Sequence, residues 1–304
     1  KISIGIMSES RFKYQLKDRV NSNSSIYPYA RSLYRLYCNV AGPFHVLPNF
    51  IIFGVSRSGT TSLYQYLVQH PNIEPCVIKE PRFFDMYFDR GLNWYKMNFP
   101  SRKQKFIFNK IKHKKLITGE ASGAYLHNPH APKRIYQLNP NMKLILLMRN
   151  PVDRAFSHYK RKVKNGSEKL SFEEVIDQEQ SRIDGEMEKM KSNSNYYSPI
   201  YHSLSYLNTG LYIKHLKNWL KYFPLKQILI LENGELSHDP QMVYDQAIEF
   251  LDLPKWKLSN YRKFSKQDLK LDMNQKTREQ LLDYCKPFNE DLYSLIGKRF
   301  DWDK

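Results

Sequence analysis

Short apolar runs recur along the chain and predict buried strands. Residues 49–55 read Asn-Phe-Ile-Ile-Phe-Gly-Val and are followed by small polar residues. Comparable runs lie at Lys115–Thr118, Lys143–Met148 and Gln227–Leu231. A short, continuous apolar run that ends in turn-forming residues is typical of a strand buried on both faces of a parallel sheet. We therefore predict that Phe50–Val55 and the other runs share one central parallel sheet.

Apolar residues at helical spacing fill most of the sequence between these runs. Thr60–Gln69 carries Leu63, Tyr66 and Leu67 at positions i, i+3 and i+4, which lie on one face of a helix. Further helices are predicted at Pro132–Leu138, Val152–Lys164, Phe172–Ile183, Leu211–Tyr222, Pro240–Leu251 and Thr277–Cys285. Alternating strands and helices predict an α/β fold, a single three-layer domain around a central, mostly parallel sheet.

Two segments differ from this alternating pattern. Residues 1–47 are basic and rich in tyrosine, and we expect them to form an N-terminal arm packed on a domain at residues 48–304. Gly185–Ser205 is rich in serine, asparagine and tyrosine, which predicts a long surface loop. Such a loop is either functional or a plain solvated connector, and its composition does not separate the two.

Composition narrows the class of protein. The 41% hydrophobic and 14% aromatic content of the 304 residues argues against disorder in most of the chain. The net charge of +18, from 48 Lys and Arg against 30 Asp and Glu, favours a polyanionic partner or an anionic small molecule. Nucleic acid, acidic polysaccharide, a membrane surface and a phosphorylated cofactor all satisfy that charge, and so does a lysine-rich soluble surface.

The cysteines bear on the compartment. Cys38, Cys76 and Cys285 are widely spaced, with no CxxC pair and no His/Cys cluster, so we expect neither a metal site nor a disulfide framework. This pattern favours a reducing, cytoplasmic location. No apolar run approaches 18 residues, and no transmembrane helix is predicted. Because the chain begins at Lys1 rather than Met, the alternative is a lumenal domain from which a membrane anchor was trimmed.

The segment Gly54–Leu63, GVSRSGTTSL, follows the first strand and opens a helix. Successive backbone N–H groups there can converge on an anion, and the helix N-terminus adds partial positive charge. Arg57 can pair with two phosphate or sulfate oxygens, and the threonine hydroxyls add donors. We assign this anion site to Ser56, Arg57, Ser58, Gly59, Thr60 and Thr61.

The same loop resembles the nucleoside-triphosphate pattern G-x-x-x-x-G-K-[ST], but Thr60 stands where that pattern has lysine. The substitution removes the residue that reaches the β- and γ-phosphates, which disfavours a P-loop-type nucleotide kinase without eliminating it. A small-residue turn without any ligand is a further alternative for this segment.

A second candidate anion site follows the strand KLILLM. Arg149 lies at the end of that strand and Ser157 lies two helical turns further on. Both can reach the crevice above the carboxyl edge of the sheet, where open α/β sheets bind ligands. We expect Arg154 between them to form a structural ion pair with Asp153 or a glutamate.

These motifs carry a family resemblance. GVSRSGTTSLYQYLVQHP resembles the 5′-phosphosulfate loop of sulfotransferases that use 3′-phosphoadenosine-5′-phosphosulfate (PAPS), and LILLMRNPVDRAFSHY resembles their 3′-phosphate site. KEPRFFD and GLNWYKMNFP resemble segments of heparan-sulfate-type enzymes and their bacterial relatives. GEASGAYL, LYIKHLKNWLKYFP and ILILENGELSHDP continue the resemblance in the same order, so it covers residues 48–300.

The resemblance implies a reaction and its residues. It implies sulfuryl transfer from PAPS to a hydroxyl or amine of a carbohydrate or glycan, which can itself be anionic. 3′,5′-ADP is then the product, and no metal is required. Glu80 corresponds to the catalytic base and Arg57 to the leaving-group cation. Arg149 and Ser157 correspond to the 3′-phosphate site. The remaining assignments are Lys79, Arg82 and Asp85 for the acceptor, and Lys266 and Lys270 for the cofactor.

Some features depart from the family pattern or stay open. A lysine of some heparan-sulfate enzymes corresponds to Ala121, so acceptor-side chemistry is expected to differ. The disulfide hairpin of some animal relatives has no counterpart, since only Cys285 lies in that region. His127 and His158 are each a candidate acid or a core histidine, and we favour the core. No nucleic-acid partner is expected, the oligomeric state is open, and a non-catalytic polyanion-binding protein is the remaining alternative.

Overall fold

The protein is described by a computed structural model over residues 27–113, 115–258, 260–262 and 269–303. The described strands form one sheet: β1 Phe50–Ile52, β2 Ile73–Pro75, β3 Ile117–Ala121, β4 Lys143–Met148 and β5 Ile228–Glu232. Every pairing is parallel, in the order β2-β3-β1-β4-β5. All strands therefore present their carboxyl ends at the same edge of the sheet.

Helices flank this sheet. They are, in chain order, α1 Tyr27–Ala41, α2 Thr60–Leu67, α3 Leu92–Lys96, α4 Arg102–Lys112, α5 Ala131–Leu138, α6 Pro151–Lys164, α7 Phe172–Asp177, α8 Glu179–Arg182, α9 Glu186–Ser192, α10 Pro199–Leu204, α11 Tyr212–Trp219, α12 Asn233–His238, α13 Pro240–Phe250 and α14 Gln275–Ile296. Short 3₁₀ helices lie at Gly42–Phe44, Phe88–Arg90, Gly123–Tyr125, Asn208–Gly210 and Leu225–Gln227.

The predicted α/β class with a central parallel sheet is confirmed. β4 has the predicted bounds, whereas β1 ends at Ile52 and β3 extends to Ala121. The edge strand β2 was missed because only Ile73 of its three residues is buried, so no apolar run marks it. The central strand β1, by contrast, is fully buried on both faces and reads as a continuous apolar run.

The predicted surface loop at Gly185–Ser205 is wrong, because it contains α9 and α10. The Glu186 carboxylate is buried and accepts hydrogen bonds from Lys189 at 2.8 Å and Tyr196 at 2.7 Å, as well as from the Ser198 hydroxyl. A small apolar cluster of Ile183, Met190 and Tyr201 packs beside it. The polar residues of this segment are thus hydrogen-bond partners of a buried carboxylate, and the segment is not a solvated loop.

Other helix bounds also differ from the prediction. The predicted helix at Phe172–Ile183 is interrupted at Gln178, which gives α7 and α8. The helix predicted at Thr277–Cys285 continues through Pro287 to Ile296 as α14. The helices α1, α3, α4 and α12 were not predicted either.

The N-terminal helix α1 contacts α3, and its Cys38 side chain belongs to the main core. The division into an arm at residues 1–47 and a domain from residue 48 stays a prediction, of which the structure describes the part from residue 27. No helix in the described ranges combines the length and the apolar character that crossing a bilayer requires.

The first prediction tests the contact between the backbones of β1 and β4. A Cβ at Gly54 would lie 2.4 Å from the Leu147 nitrogen and 2.7 Å from its carbonyl oxygen, and backbone cannot move aside like a flexible side chain. Gly54→Ala should lower the free energy of unfolding by about 3 kcal/mol, at the upper end of the cost of overpacking. Urea unfolding measures it.

Gly166→Ala is the matched control. Gly166 has φ 69° and open space around its Cα, so an added methyl group meets only backbone strain of about 1 kcal/mol. Equal destabilisation by the two substitutions would contradict the close approach at Gly54.

Candidate active site

A cleft of about 340 Å³ opens at the carboxyl edge of the sheet. The loops that follow β1, β3 and β4 meet there because parallel strands end at the same edge. Sequence-predicted residues that line the cleft are Ser56, Arg57, Gly59, Thr60, Thr61, Glu80 and Arg82. Residues that sequence reasoning did not assign to it include Arg161, Lys162 and His202. Arg161 lies four positions beyond Ser157 on α6, a spacing that gives a signal for the same helix face.

The loop after β1 is held in a fixed conformation. Gly59 precedes α2 with φ 91°, and Arg57 adopts φ 78°, which is uncommon for a residue with a side chain. The Asn233 amide donates to the Ser58 carbonyl at 3.0 Å, and the Ser58 side chain is completely buried. The predicted helix start after the loop is confirmed, and the loop lies at the edge of the sheet as expected.

The two candidate anion loops contact each other. Arg57 Nε donates to Ser157 Oγ at 3.1 Å, and Arg149 Nη1 donates to the Arg57 carbonyl at 3.4 Å. Burial, together with the charges of Arg161, Arg149 and Arg154, lowers the pKa of Arg57 to about 10. The structure thus concentrates positive charge where the two loops meet, which favours a ligand with several negative charges.

Glu80 lies beside the first of these loops. Lys79 Nζ donates to Thr61 Oγ1 at 2.8 Å and pairs with Glu80 Oε1 at 2.8 Å. The Glu80 side chain is 44% exposed and lines the cleft, whereas Lys79 is not among the lining residues. An ion pair with that exposure adds little stability. Its effect is to hold the carboxylate next to the anion loop.

Arg82 lines the same cleft, and an ion pair with Asp85 holds its side chain in place. Its backbone has φ 53°, and its guanidinium pairs with Asp85, with Nε donating at 3.0 Å. Asp85 is buried and does not line the cleft. Burial raises the pKa of Asp85, although the charge of Arg82 opposes this shift. Asp85 thus orients Arg82, and the contact predicted between Asp85 and an acceptor stays a prediction.

The buried carboxylate of Glu120, at the end of β3, was missed. It accepts hydrogen bonds from Tyr95 at 2.6 Å, Ser122 at 2.6 Å and Tyr125 at 3.1 Å. The Tyr125 hydroxyl in turn accepts from the Phe83 N–H at 2.9 Å. Glu120 therefore supports the segment that follows Glu80. Its sequence signal is a glutamate inside a buried strand.

Some predicted residues lie elsewhere. Lys266 falls outside the described residues, and Lys270 is exposed and does not line the cleft. The ion pair predicted for Arg154 with Asp153 is wrong, because Asp153 pairs with Arg278 at 2.7 Å. Arg154 is instead buried and donates to backbone carbonyls, those of Ser56 and of residues 205–206.

This combination of an anion loop, a second anion site and a cleft carboxylate fits an enzyme that handles a phosphorylated or sulfated donor. The sequence pattern of the family described as "Sulfotransferase domain" matches residues 47–286. The chain belongs to this family, and the protein is a sulfotransferase.

Individual relatives agree with this class. The chain is 30% identical to the membrane-associated sulfotransferase kil1 of Dictyostelium discoideum, over 86% of this chain and 68% of that protein. It is 28% identical to heparan sulfate glucosamine 3-O-sulfotransferase 6 of Mus musculus, over 84% of this chain and 74% of that protein. The crystal structure of a sulfotransferase from Alicyclobacillus acidocaldarius superposes with a TM-score of 0.62 at 30% identity, over 85% of this chain and all of that one.

The second prediction concerns the Glu120 network. Burial raises the pKa of Glu120 from 4.5 to about 8, although its three hydroxyl donors oppose the shift. A raised folded-state pKa gives stability that is complete below pH 4.5 and is lost as the pH rises through 8. Glu120→Gln should remove this loss, so its unfolding free energy should fall less between pH 5.5 and 8.5 than that of the unmodified protein, by on the order of 3 kcal/mol.

Urea titrations at both pH values measure this difference. Glu188→Gln is the control, because Glu188 lies exposed on α9 and its loss should leave the pH dependence unchanged. Parallel pH profiles for Glu120→Gln and the unmodified protein would contradict the assignment.

Proposed function

We propose that this sulfotransferase transfers a sulfuryl group from PAPS to a hydroxyl or amine of a carbohydrate acceptor, with Glu80 as the general base. One observation carries the proposal. The contact of Arg57 with Ser157 joins the two anion loops, and Glu80 lies beside them in the same cleft. A donor with anionic groups at both ends needs both loops, and an acceptor needs a base next to the reacting group.

The residues present fit such a donor. Burial and the nearby charges of Arg161, Arg149 and Arg154 depress the pKa of Arg57, and a multiply anionic ligand would offset this charge density. The Ser58 hydroxyl is a buried polar atom without a hydrogen-bond partner in the described structure. We assign the 5′-phosphosulfate to the loop at 56–61 and the 3′-phosphate to Arg149 and Ser157. PAPS supplies the activated sulfuryl group, and 3′,5′-ADP is the product.

The chemistry that these side chains provide follows from their positions. Glu80 removes the proton from the acceptor as its oxygen or nitrogen attacks, and Lys79 holds the carboxylate towards Thr61. Charge on the leaving oxygen grows during transfer, and Arg57 stabilises it electrostatically. Arg57 does not donate a proton in this scheme, because even its lowered pKa of about 10 keeps the guanidinium charged at neutral pH.

A carbohydrate acceptor is supported by the cleft and by the relatives. The cleft is open to one side of the anion loops and carries Arg82, Arg161 and Lys162. Two of the relatives that match this chain are named for heparan sulfate, an anionic polysaccharide. The position of the family lysine is taken by Ala121, which is buried here, so the acceptor need not be heparan sulfate itself.

We further propose a cytoplasmic location, with the lumenal domain of an anchored enzyme as the alternative. Cys38, Cys76 and Cys285 are buried and form no disulfide with one another, which is consistent with a reducing compartment. Fractionation of the native host separates the two.

The third prediction tests the 3′-phosphate site. Arg149→Ala should weaken 3′,5′-ADP binding by about 1.5–3 kcal/mol, the worth of a charge-assisted contact, and leave 5′-AMP binding unchanged. Isothermal titration with both nucleotides measures this loss of discrimination. Arg102→Ala, an exposed arginine at the start of α4, is the control and should bind both nucleotides normally.

Equal affinity of the unmodified protein for 3′,5′-ADP and 5′-AMP would refute the site. A melting temperature raised by ATP with Mg²⁺ but not by 3′,5′-ADP would favour the nucleotide-kinase alternative.

The fourth prediction tests the base. Glu80→Gln should lower kcat by on the order of 10²–10⁴-fold, because proton removal belongs to the transition state. Its melting temperature and its affinity for 3′,5′-ADP should stay nearly normal, since the ion pair with Lys79 is half exposed. Assays with labelled PAPS and a panel of polysaccharides measure turnover.

Glu188→Gln again serves as the control, because Glu188 also lies beside a lysine, Lys191, but on the surface of α9. A Glu80→Gln variant that turns over a sugar hydroxyl at the unmodified rate would overturn the assignment. A variant that loses cofactor binding and stability together would indicate a structural role for Glu80.

A further inference from the structure

Three histidines line the cleft beside the anion loops. His127 follows the 3₁₀ helix Gly123–Tyr125, His158 lies on α6 and His202 lies on α10, so three separate elements bring them to one wall. The ring centroids of His127 and His202 are 5.9 Å apart. We call these three residues the histidine wall.

The histidine wall holds polar atoms without partners. The Nδ1 atoms of His127, His158 and His202 are buried, and none has a hydrogen-bond partner within the described structure. Arg154, which lines the same cleft, leaves its buried Nε unpaired in the same way. A buried polar atom without a partner costs about 1–3 kcal/mol, so a cluster of four requires an explanation.

His215 is a nearby histidine that, unlike those of the wall, does not line the cleft. It lies 6.3 Å from His127 between ring centroids and is buried, but its Nε2 contacts the Asn208 carbonyl at 3.2 Å. It is not among the residues that line the cleft. Packing alone therefore does not account for the unpaired nitrogens of the wall.

The charges around the wall are almost all positive. Burial, together with the charges of Arg82, Lys162, Arg154 and Arg161, lowers the pKa of His202 to about 4. Burial also lowers the pKa values of His127 and His158, and both are affected by the nearby Arg154 and His202. His215 acts in addition on His127. Lys162 and Arg57 act in addition on His158. Aromatic rings complete the surroundings, with Tyr201 at His127, Tyr197 at His202 and Tyr206 at His158.

Among the described residues that line the cleft, Glu80 is the only acidic one, and it is already paired with Lys79. Neutral imidazoles in a cationic cleft can each take up a proton and become donors when an anion binds, because the anion offsets the surrounding charge. The described residues contain no group of three metal-ligating side chains arranged to hold an ion. The arrangement is therefore one that suits an anionic group.

We propose that the histidine wall is a subsite for a carboxylate or sulfate substituent of the acceptor, next to the group that is sulfated, and that it binds this substituent together with protons. The inference rests on the proposed sulfation of a carbohydrate. In this proposal His127, His158 and His202 determine which acceptor binds, and Glu80 remains the general base.

The proposal has a defined pH dependence. The free wall is neutral near pH 7, and the bound anion raises the pKa of the imidazoles, so the complex holds more protons than its separated components. Binding of an anionic acceptor should therefore strengthen as the pH falls from 7.5 towards 6, by up to about tenfold per pH unit for each proton taken up. An uncharged acceptor should not show this gain, and the comparison of the two acceptors cancels any effect of pH that is common to both.

The test uses a glucuronate-containing oligosaccharide and its carboxyl-reduced counterpart. Titration calorimetry of the full chain saturated with 3′,5′-ADP, in buffers of different ionisation enthalpy, counts protons without turnover. We expect proton uptake with the carboxylated oligosaccharide only. Labelled transfer at pH 6 and 7.5 should give a kcat/KM ratio between the two acceptors that rises at the lower pH.

Variants separate the wall from general effects. His127→Asn with His202→Asn should lower kcat/KM for the carboxylated acceptor by about tenfold or more, the loss expected for a charge-assisted hydrogen bond, and should reduce proton uptake. Turnover of the reduced acceptor should be unchanged. His238→Asn, an exposed histidine on α12, is the control. Stabilisation of each variant by 3′,5′-ADP shows that it is folded, and the single substitutions serve if the pair is unstable.

The outcomes are distinguishable from failure of the proposed function. Transfer to both acceptors with equal pH profiles and no proton uptake would overturn the histidine wall as a subsite but keep the sulfotransferase proposal. Binding of 3′,5′-ADP without transfer to any oligosaccharide would overturn the carbohydrate acceptor. Proton uptake that is undiminished in the double variant would also overturn the inference, because neither His127 nor His202 would then take up a proton.

Discussion

The active site depends on a backbone contact that leaves no room for a side chain. Gly54 passes so close to Leu147 of β4 that a single methyl group would overlap its backbone, and Gly123 approaches the Gly54 carbonyl from the loop after β3 in the same way. Three chain segments that follow three parallel strands therefore meet within van der Waals distance. The loop at residues 56–61 follows β1, and Arg149 and Ser157 follow β4, so the sheet positions both candidate anion sites.

Around this junction the protein accumulates charge that its own residues do not neutralise. Arg154 is completely enclosed and carries its charge against carbonyl dipoles instead of a carboxylate. Arg57 is crowded by other arginines, and both Arg57 and Arg82 hold backbone conformations that are unfavourable for their residue type. Such local costs are typical of functional sites, where the ligand rather than the fold supplies the missing interaction.

The features that could be predicted from the sequence are those formed by residues close together in the chain. The anion loop and the α6 site follow directly from a strand, a turn and a helix, and their residues are consecutive or share one helix face. Glu120 could not be recognised because its three donors come from different segments and only folding buries it. Glu186 shows the same limitation, since its burial converts a polar stretch into two helices. The histidine wall combines residues from three elements, and no spacing along the chain brings them together.

The three cysteines can serve as reporters of local unfolding. Each thiol is buried, Cys76 in the main core, Cys285 in the second cluster around α6 and α14, and Cys38 where α1 meets the domain. Burial raises the pKa of Cys76 and Cys285 to about 12, so both stay protonated and unreactive while enclosed. A thiol reagent can modify each position only when that part of the molecule opens. The rates of modification therefore rank the local stability of the sheet, the helical layer and the N-terminal helix without any introduced label.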